Sequence, residues 1–205
     1  MRADLHIHTT ASDGRWPPQR LLREVKDHAI DLFAVTDHDT IANVAPTEVL
    51  AQESGLAFLR GVEVSSRLDG RLFHILAYGF DRDIGPLERL LSSNKALLEQ
   101  ANEATIRHLI ASGYALDLDD YAAYQYDRTR GAWKAYNFLL DRGICTDFAS
   151  YFDNPDISSP ATISPFPHPR EVIDAIRDAN GVPVLAHPGA SLGTEDVTEA
   201  ILERL

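Results

Sequence analysis

The sequence predicts an α/β fold built on a largely parallel sheet. Three observations carry this reading. Short apolar runs with turn residues at their ends recur along the chain. Helical patterns lie between several of them. Histidines and carboxylates gather at or near the ends of the runs, the edge where α/β folds build their sites.

Residues 2–8 read as the first strand and Leu32-Phe33-Ala34-Val35-Thr36 as the second. Ala57 to Val64, Leu72 to Gly79 and Val182 to Ala186 supply three more. Between them, Pro17 to Ala29 opens with prolines suited to a first helical turn and continues with Leu21, Leu22 and Val25. Pro46 to Ser54 reads as a second helix, stopped by Gly55. The middle breaks the alternation. From Pro86 to about Ser112, positions such as Leu87, Leu91, Leu98, Ile106 and Leu109 follow helical spacing. Trp133 to Arg142 forms another helix, and residues 144–167 read as a proline-rich loop. Pro169 to Asn180 restores the α/β rhythm. Thr194 to Leu205 is expected to be a last helix, with Thr194 as its N-cap.

Composition narrows the function classes. The chain of 205 residues carries a formal net charge of −12. No basic patch is visible, which argues against binding long duplex nucleic acid. An acidic protein that handles an anion needs a local source of positive charge, and bound metal ions supply one. No run of 18 apolar residues is present, so no transmembrane helix is expected. The N-terminus lacks a signal-peptide pattern, and a cytoplasmic location is the expectation. The single cysteine, Cys145, rules out an intrachain disulfide and reads as a buried structural thiol.

The candidate chemistry sits at the strand ends. Strand alternation puts Asp4, His6 and His8 on one face, where two imidazoles can bind one metal and Asp4 can orient an imidazole. Asp13 follows in a tight Ser12-Asp13-Gly14 loop. The second strand ends in Thr36-Asp37-His38-Asp39, the third in Gly61-Val62-Glu63-Val64-Ser65, and the fifth in Ala186-His187-Pro188. The fourth contains His74. Mixed imidazole and carboxylate donors suit Zn²⁺, Mn²⁺ or Fe²⁺ better than Ca²⁺. Glu63 is the candidate carboxylate to bridge two ions. His28, His108 and His168 fall outside the pattern and read as structural.

Taken in order, Asp4-Leu5-His6-Ile7-His8-Thr9, Ser12-Asp13-Gly14, Thr36-Asp37-His38-Asp39, Gly61-Val62-Glu63-Val64-Ser65, His74-Ile75-Leu76-Ala77-Tyr78-Gly79 and Ala186-His187-Pro188 resemble the successive motifs of the PHP (polymerase and histidinol phosphatase) domain family. The nearest branch is the small stand-alone phosphoesterases. The resemblance implies a distorted (β/α)7 barrel with two or three divalent ions (Mn²⁺, Zn²⁺ or Fe²⁺). It implies His6, His8, Asp13, His38, Glu63, His74 and His187 as metal ligands. It also implies hydrolysis of a small phosphorylated substrate by a metal-bound hydroxide. The substrate expected is a nucleoside 3′,5′-bisphosphate or short oligonucleotide. Alternatives are a histidinol-phosphatase-like phosphomonoesterase and a degenerate, non-catalytic metal-binding module. An amidohydrolase acting on C–N bonds also uses a His-x-His strand pair, but the Ser-Asp-Gly loop and Thr-Asp-His-Asp favour the phosphoesterase.

On this reading the barrel's first part covers 1–80, a mostly helical insertion 81–160, and the continued barrel 161–205. A complete (β/α) barrel usually needs about 250 residues, so the barrel is expected to be incomplete at its C-terminus. Many relatives carry a Gly-Arg-Pro-His segment in the insertion that completes a third metal site. Here the comparable stretch is Thr129-Arg130-Gly131-Ala132-Trp133-Lys134. Arg130 and Lys134 are therefore candidates for holding substrate phosphate, and Asp37 a candidate for orienting His38 or assisting proton transfer.

Overall fold

A computed structural model describes residues 1–158 and 165–192, together with 198, 199, 203 and 204. The helix expected over 194–205 and the Thr194 cap lie largely outside these residues. Among the described residues the strands are β1 (Ala3–Ile7), β2 (Leu32–Val35), β3 (Ala57–Leu68), β4 (Arg71–Tyr78) and β5 (Val182–Leu185). The helices are α1 (Pro18–Asp27), α2 (Val44–Glu53), α3 (Gly85–Ala111), α4 (Leu118–Ala123), α5 (Lys134–Asp141), α6 (Phe148–Phe152), α7 (Pro169–Asp178) and α8 (Pro188–Leu192). The short helices α4, α6 and α8 go beyond the periodicity reading. α6 lies inside the stretch expected to be loop, begun by an Asp147–Ser150 capping box.

The sheet has the order β1-β2-β3-β4-β5. β1, β2 and β3 pair in parallel. The pairings β3–β4 and β4–β5 are antiparallel, so β4 alone runs against the other four strands. The cause is a two-residue turn. Asp69 (φ 49°) and Gly70 (φ 78°) both take the left-handed conformation that a type I′ hairpin needs, and β3 runs on to Leu68 to meet it. β4 therefore runs backwards, and His74 reaches the site from the first half of its strand, opposite Ser65.

Two cores flank α3. Its first half, through Leu87 and Leu91, packs with Val62, Val64, Ile75 and Ala77 of the sheet and Val172 and Ile176 of α7. Its second half, through Ile106 and Leu109, packs with Tyr121, Phe138, Leu139 and Cys145. The expected insertion at 81–160 contains the second core, while the start of α3 belongs to the sheet's own core. Cys145 is buried and free of any disulfide. No helix among the described residues is long and apolar enough to cross a membrane.

Candidate metal centre

Glu63, with a side chain only 1% exposed, lies at the middle of five imidazoles. Its Oε2 is 2.8 Å from His6 Nε2, 3.1 Å from His8 Nε2 and 3.7 Å from His38 Nδ1. Its Oε1 is 2.7 Å from His187 Nε2 and 3.2 Å from His74 Nδ1. The rings form a closed circuit. Consecutive centroids His6–His8–His38–His74–His187 lie 5.1, 4.6, 4.7 and 5.2 Å apart, and His187 returns to His6 at 5.8 Å. Asp13 sits outside the ring, 3.1 Å from His8 Nδ1 and 3.9 Å from His38 Nε2. All seven residues expected as ligands from the resemblance thus meet in one place.

The electrostatics follow from that crowding. Burial alone would push the Glu63 carboxyl upward, but the surrounding imidazoles outweigh it and hold the group far below the usual carboxylate range. Burial lowers His38 to about 4, so it is a neutral imidazole near pH 7. The donor chemistry fits divalent cations on two further counts. His6, Glu63 and His187 place one donor atom each within 4.8 Å of one another, and so do His8, His38 and Glu63. In addition, His8 Nδ1 is buried without a hydrogen bond, because its 3.1 Å approach to Asp13 lacks the alignment of one.

A network of short bonds sets the Asp13 loop. Asp37 is fully buried and accepts from Thr9 N at 2.7 Å and Thr9 Oγ1 at 2.6 Å. Ser12 Oγ lies 2.6 Å from Asp37 Oδ1 and 3.1 Å from Asp13 Oδ1, and its single proton serves the shorter contact. These partners replace the expected ones: Asp37 secures Thr9 and Ser12, not the His38 ring. Asp4 likewise accepts from the backbone of His6 at 3.3 Å instead of orienting an imidazole. Gly14 has to be glycine, since a Cβ there would stand 2.1 Å from the carbonyl oxygen of His8. Beyond the loop, Asp39 takes φ 49° and accepts from Ser65 N, Ser65 Oγ and Asn94 of α3 at 3.0, 2.6 and 2.8 Å.

The middle segment grips the same loop. Arg128 donates to the carbonyls of Thr10, Ala11 and Ser12 at 3.2, 3.2 and 3.1 Å, and Ala132 N donates to Asp13 O at 2.7 Å. Of the two cations expected to hold phosphate, Arg130 lines a cavity beside Asp13 while paired to Asp141 at 2.7 Å. Lys134 turns away, donating to Ala122 O at 2.9 Å with its ammonium over the Tyr121 ring. Trp133 packs among aromatic rings and donates to Tyr151 Oη at 3.3 Å. No residue from 128 to 134 enters either metal-binding group among the described residues. Arg15 and Arg128 went unread in the sequence, because an arginine's partners are chosen by the fold and leave no local pattern. His168 has a capping role, accepting from Arg170 N at the start of α7.

Comparison with known proteins identifies the family. The PHP domain family matches residues 4–159. The 5′-3′ exoribonuclease Rnm of Escherichia coli is 30% identical over 91% of this chain and 65% of its own length. The chain covers only 35% of a Haemophilus influenzae 5′-3′ exoribonuclease, 40% identical over 97 residues. It thus spans about two thirds or less of the exoribonucleases it matches. A 3′,5′-nucleoside bisphosphate phosphatase of Chromobacterium violaceum is 28% identical over 98% of this chain and 70% of its own. A solved Bifidobacterium adolescentis structure superposes with a TM-score of 0.82 at 24% identity, covering 99% of this chain and 73% of that one. A ring of histidines around a buried glutamate, the motifs in order and a family match over most of the chain lead to one assignment: this chain belongs to the PHP domain family.

Proposed function

We propose that this chain is a metal-dependent phosphoesterase acting on a small phosphorylated substrate of the nucleotide class. One observation carries the reading: two groups of three donors, His6–Glu63–His187 and His8–His38–Glu63, share one buried carboxylate. Such a pair of groups suits two divalent ions bridged by Glu63, with Asp13 flanking the second group and His74 facing Glu63 and His187. Bound there, the ions would activate water and neutralise charge on the phosphoryl oxygens. The protein's own part is positional. Glu63 keeps both groups at fixed spacing, and the neutral His38 offers a free lone pair. Asp37 holds Thr9 and Ser12, and with them the loop that carries Asp13.

The names of the relatives support the substrate class, since they act on a nucleoside bisphosphate or on RNA. The acidic surface argues for small substrates over long duplexes. Release of phosphate from adenosine 3′,5′-bisphosphate and histidinol phosphate, and of nucleotides from short oligonucleotides, measured with Mn²⁺ or Zn²⁺, tests the proposal. The nucleotide substrates should be hydrolysed and the rate abolished by a chelator. Loaded protein that releases neither phosphate nor nucleotide from any of the three would refute it.

A further inference from the structure

Beside the metal centre lies a cavity of about 140 Å³ whose wall includes Asp13, Arg15, Arg130, Tyr136, Asn137 and Phe148. One side is therefore shared with the metal centre, through Asp13. The other side is cationic and aromatic. Neither the cations nor the ring is needed to build the centre itself.

Arg15 stands out among these. It is exposed, and among the described residues it makes no hydrogen bond or ion pair. Its stem lies against Gly131. Gly131, at φ 74°, leaves room for Arg15 Cγ, which a Cβ at that position would approach to 2.8 Å. An unpaired guanidinium is free to take a phosphate, whose oxygens match its planar fork of donors. Its charge matters more in a chain of net charge −12, where most other cations near the site are already engaged. Arg130 is one of these, held by both oxygens of Asp141 at 2.9 and 2.7 Å, and it forms the back of the cavity.

The third wall is Phe148. Its ring stacks on Tyr136 with centroids 4.4 Å apart and planes 17° from parallel, yet the residue stays 46% exposed. Phe152 lies near-parallel to the same ring at 6.5 Å, and an exposed aromatic cluster of this kind offers rings for a nucleobase to stack on. The cavity thus brings together a candidate metal ligand, a guanidinium and an aromatic ring. A nucleotide presents matching groups: a reacting phosphate, a second phosphate and a base.

We propose that Arg15 forms a subsite for a second, non-reacting phosphate of a nucleotide, with the attached base lying on Phe148. The inference rests on the phosphoesterase reading above and adds the residues that would select a doubly phosphorylated substrate. A terminal second phosphate would gain a charge-assisted, two-point contact with the guanidinium. A nucleoside with one phosphate forgoes it.

Calorimetric binding of non-hydrolysable phosphonate analogues of adenosine 3′,5′-bisphosphate and of adenosine 3′-monophosphate to the Mn²⁺-loaded protein tests this without turnover. The wild type should bind the bisphosphate about ten-fold or more tightly. In Arg15→Ala that ratio should fall toward one, and in Arg15→Lys it should recover in part. Phe148→Ala should weaken both nucleotides while leaving the affinity for inorganic phosphate as it was. Equal binding of the two nucleotides by the wild type, or an undiminished ratio in Arg15→Ala, overturns the proposal. A wild type that shows the ratio yet hydrolyses nothing would refute the phosphoesterase reading and leave the subsite standing.

Discussion

Removing the Asp37 carboxylate tests how the Asp13 loop is held. The group has no exposed surface and accepts three short bonds, at 2.7, 2.6 and 2.6 Å. A hydrogen bond to a charged group contributes about 1.5–3 kcal/mol. The three share one acceptor, so their losses do not add. Asp37→Ala leaves buried neutral donors without a partner, at about 1–3 kcal/mol for each group left unsatisfied, and should cost about 3–5 kcal/mol in all. For a chain of this size the melting temperature should fall by roughly 6–20 °C. Asp37→Asn keeps the shape and one acceptor for Thr9 N, and should cost about 1 kcal/mol. Both variants should weaken Mn²⁺ binding, because Ser12 and Asp13 lose their anchor. Thermal and urea unfolding of the chelated proteins, with metal titrations alongside, provide the measurements. A destabilisation by Asp37→Ala below about 1 kcal/mol would refute this reasoning. So would an Asp37→Asn variant of full stability and full metal content with no turnover, which would mean a proton-transfer role instead.

Further outcomes follow from the same geometry. Glu63→Gln removes the shared charged ligand, so metal analysis should show loss of both ions, and nucleotide hydrolysis should drop by at least about 10³-fold. Gly14→Ala would drive a Cβ into the His8 carbonyl, and should destabilise the protein by several kcal/mol on unfolding, with weaker metal binding. Burial opposes charge on His8, but contacts with Asp13 and Glu63 prevail and raise it to about 10. Metal-free protein near pH 7 therefore holds that proton, and its stabilising effect, full below pH 6.5, fades as pH climbs to about 10. Metal loading should release about one proton from this imidazole, seen as a buffer-dependent heat of binding, and affinity should rise with pH. A heat independent of buffer would contradict this. Lys134→Ala should leave KM for nucleotides within about two-fold, as its ammonium is occupied at Ala122 and Tyr121. A ten-fold rise would restore it as a substrate contact.

Much of this site could be read from sequence, and the reason is local. His6 and His8 share a strand face by simple alternation, and His38, Glu63 and His187 lie at or just beyond strand segments that periodicity locates. The direction of β4 could also have been read, since Asp69-Gly70 between alternating runs is a hairpin signal. The roles of Arg15, Arg128 and Asp37 could not. Each depends on which backbone or side chain the fold brings within reach, and Arg128 meets the Thr10–Ser12 carbonyls from more than 110 residues away. Lys134, expected from the resemblance to hold substrate phosphate, is turned elsewhere by its neighbours in the second core.

The circuit of imidazoles also bears on how the chain is held together. β1 and β5 are opposite edges of the sheet and share no hydrogen-bonded pairing. Even so, His6 of β1 and His187, just past β5, come within 5.8 Å ring to ring, and Tyr78 of β4 reaches Leu5 O of β1 at 2.7 Å. The sheet curls until its margins meet at the site. An ion held by His6, Glu63 and His187 would therefore be a seam as well as a cofactor, closing a loop of nearly the whole chain as a disulfide would in an oxidising compartment. Stripping the metal should unlatch both margins together, and amide exchange should quicken in β1 and β5 before it does in the central β3.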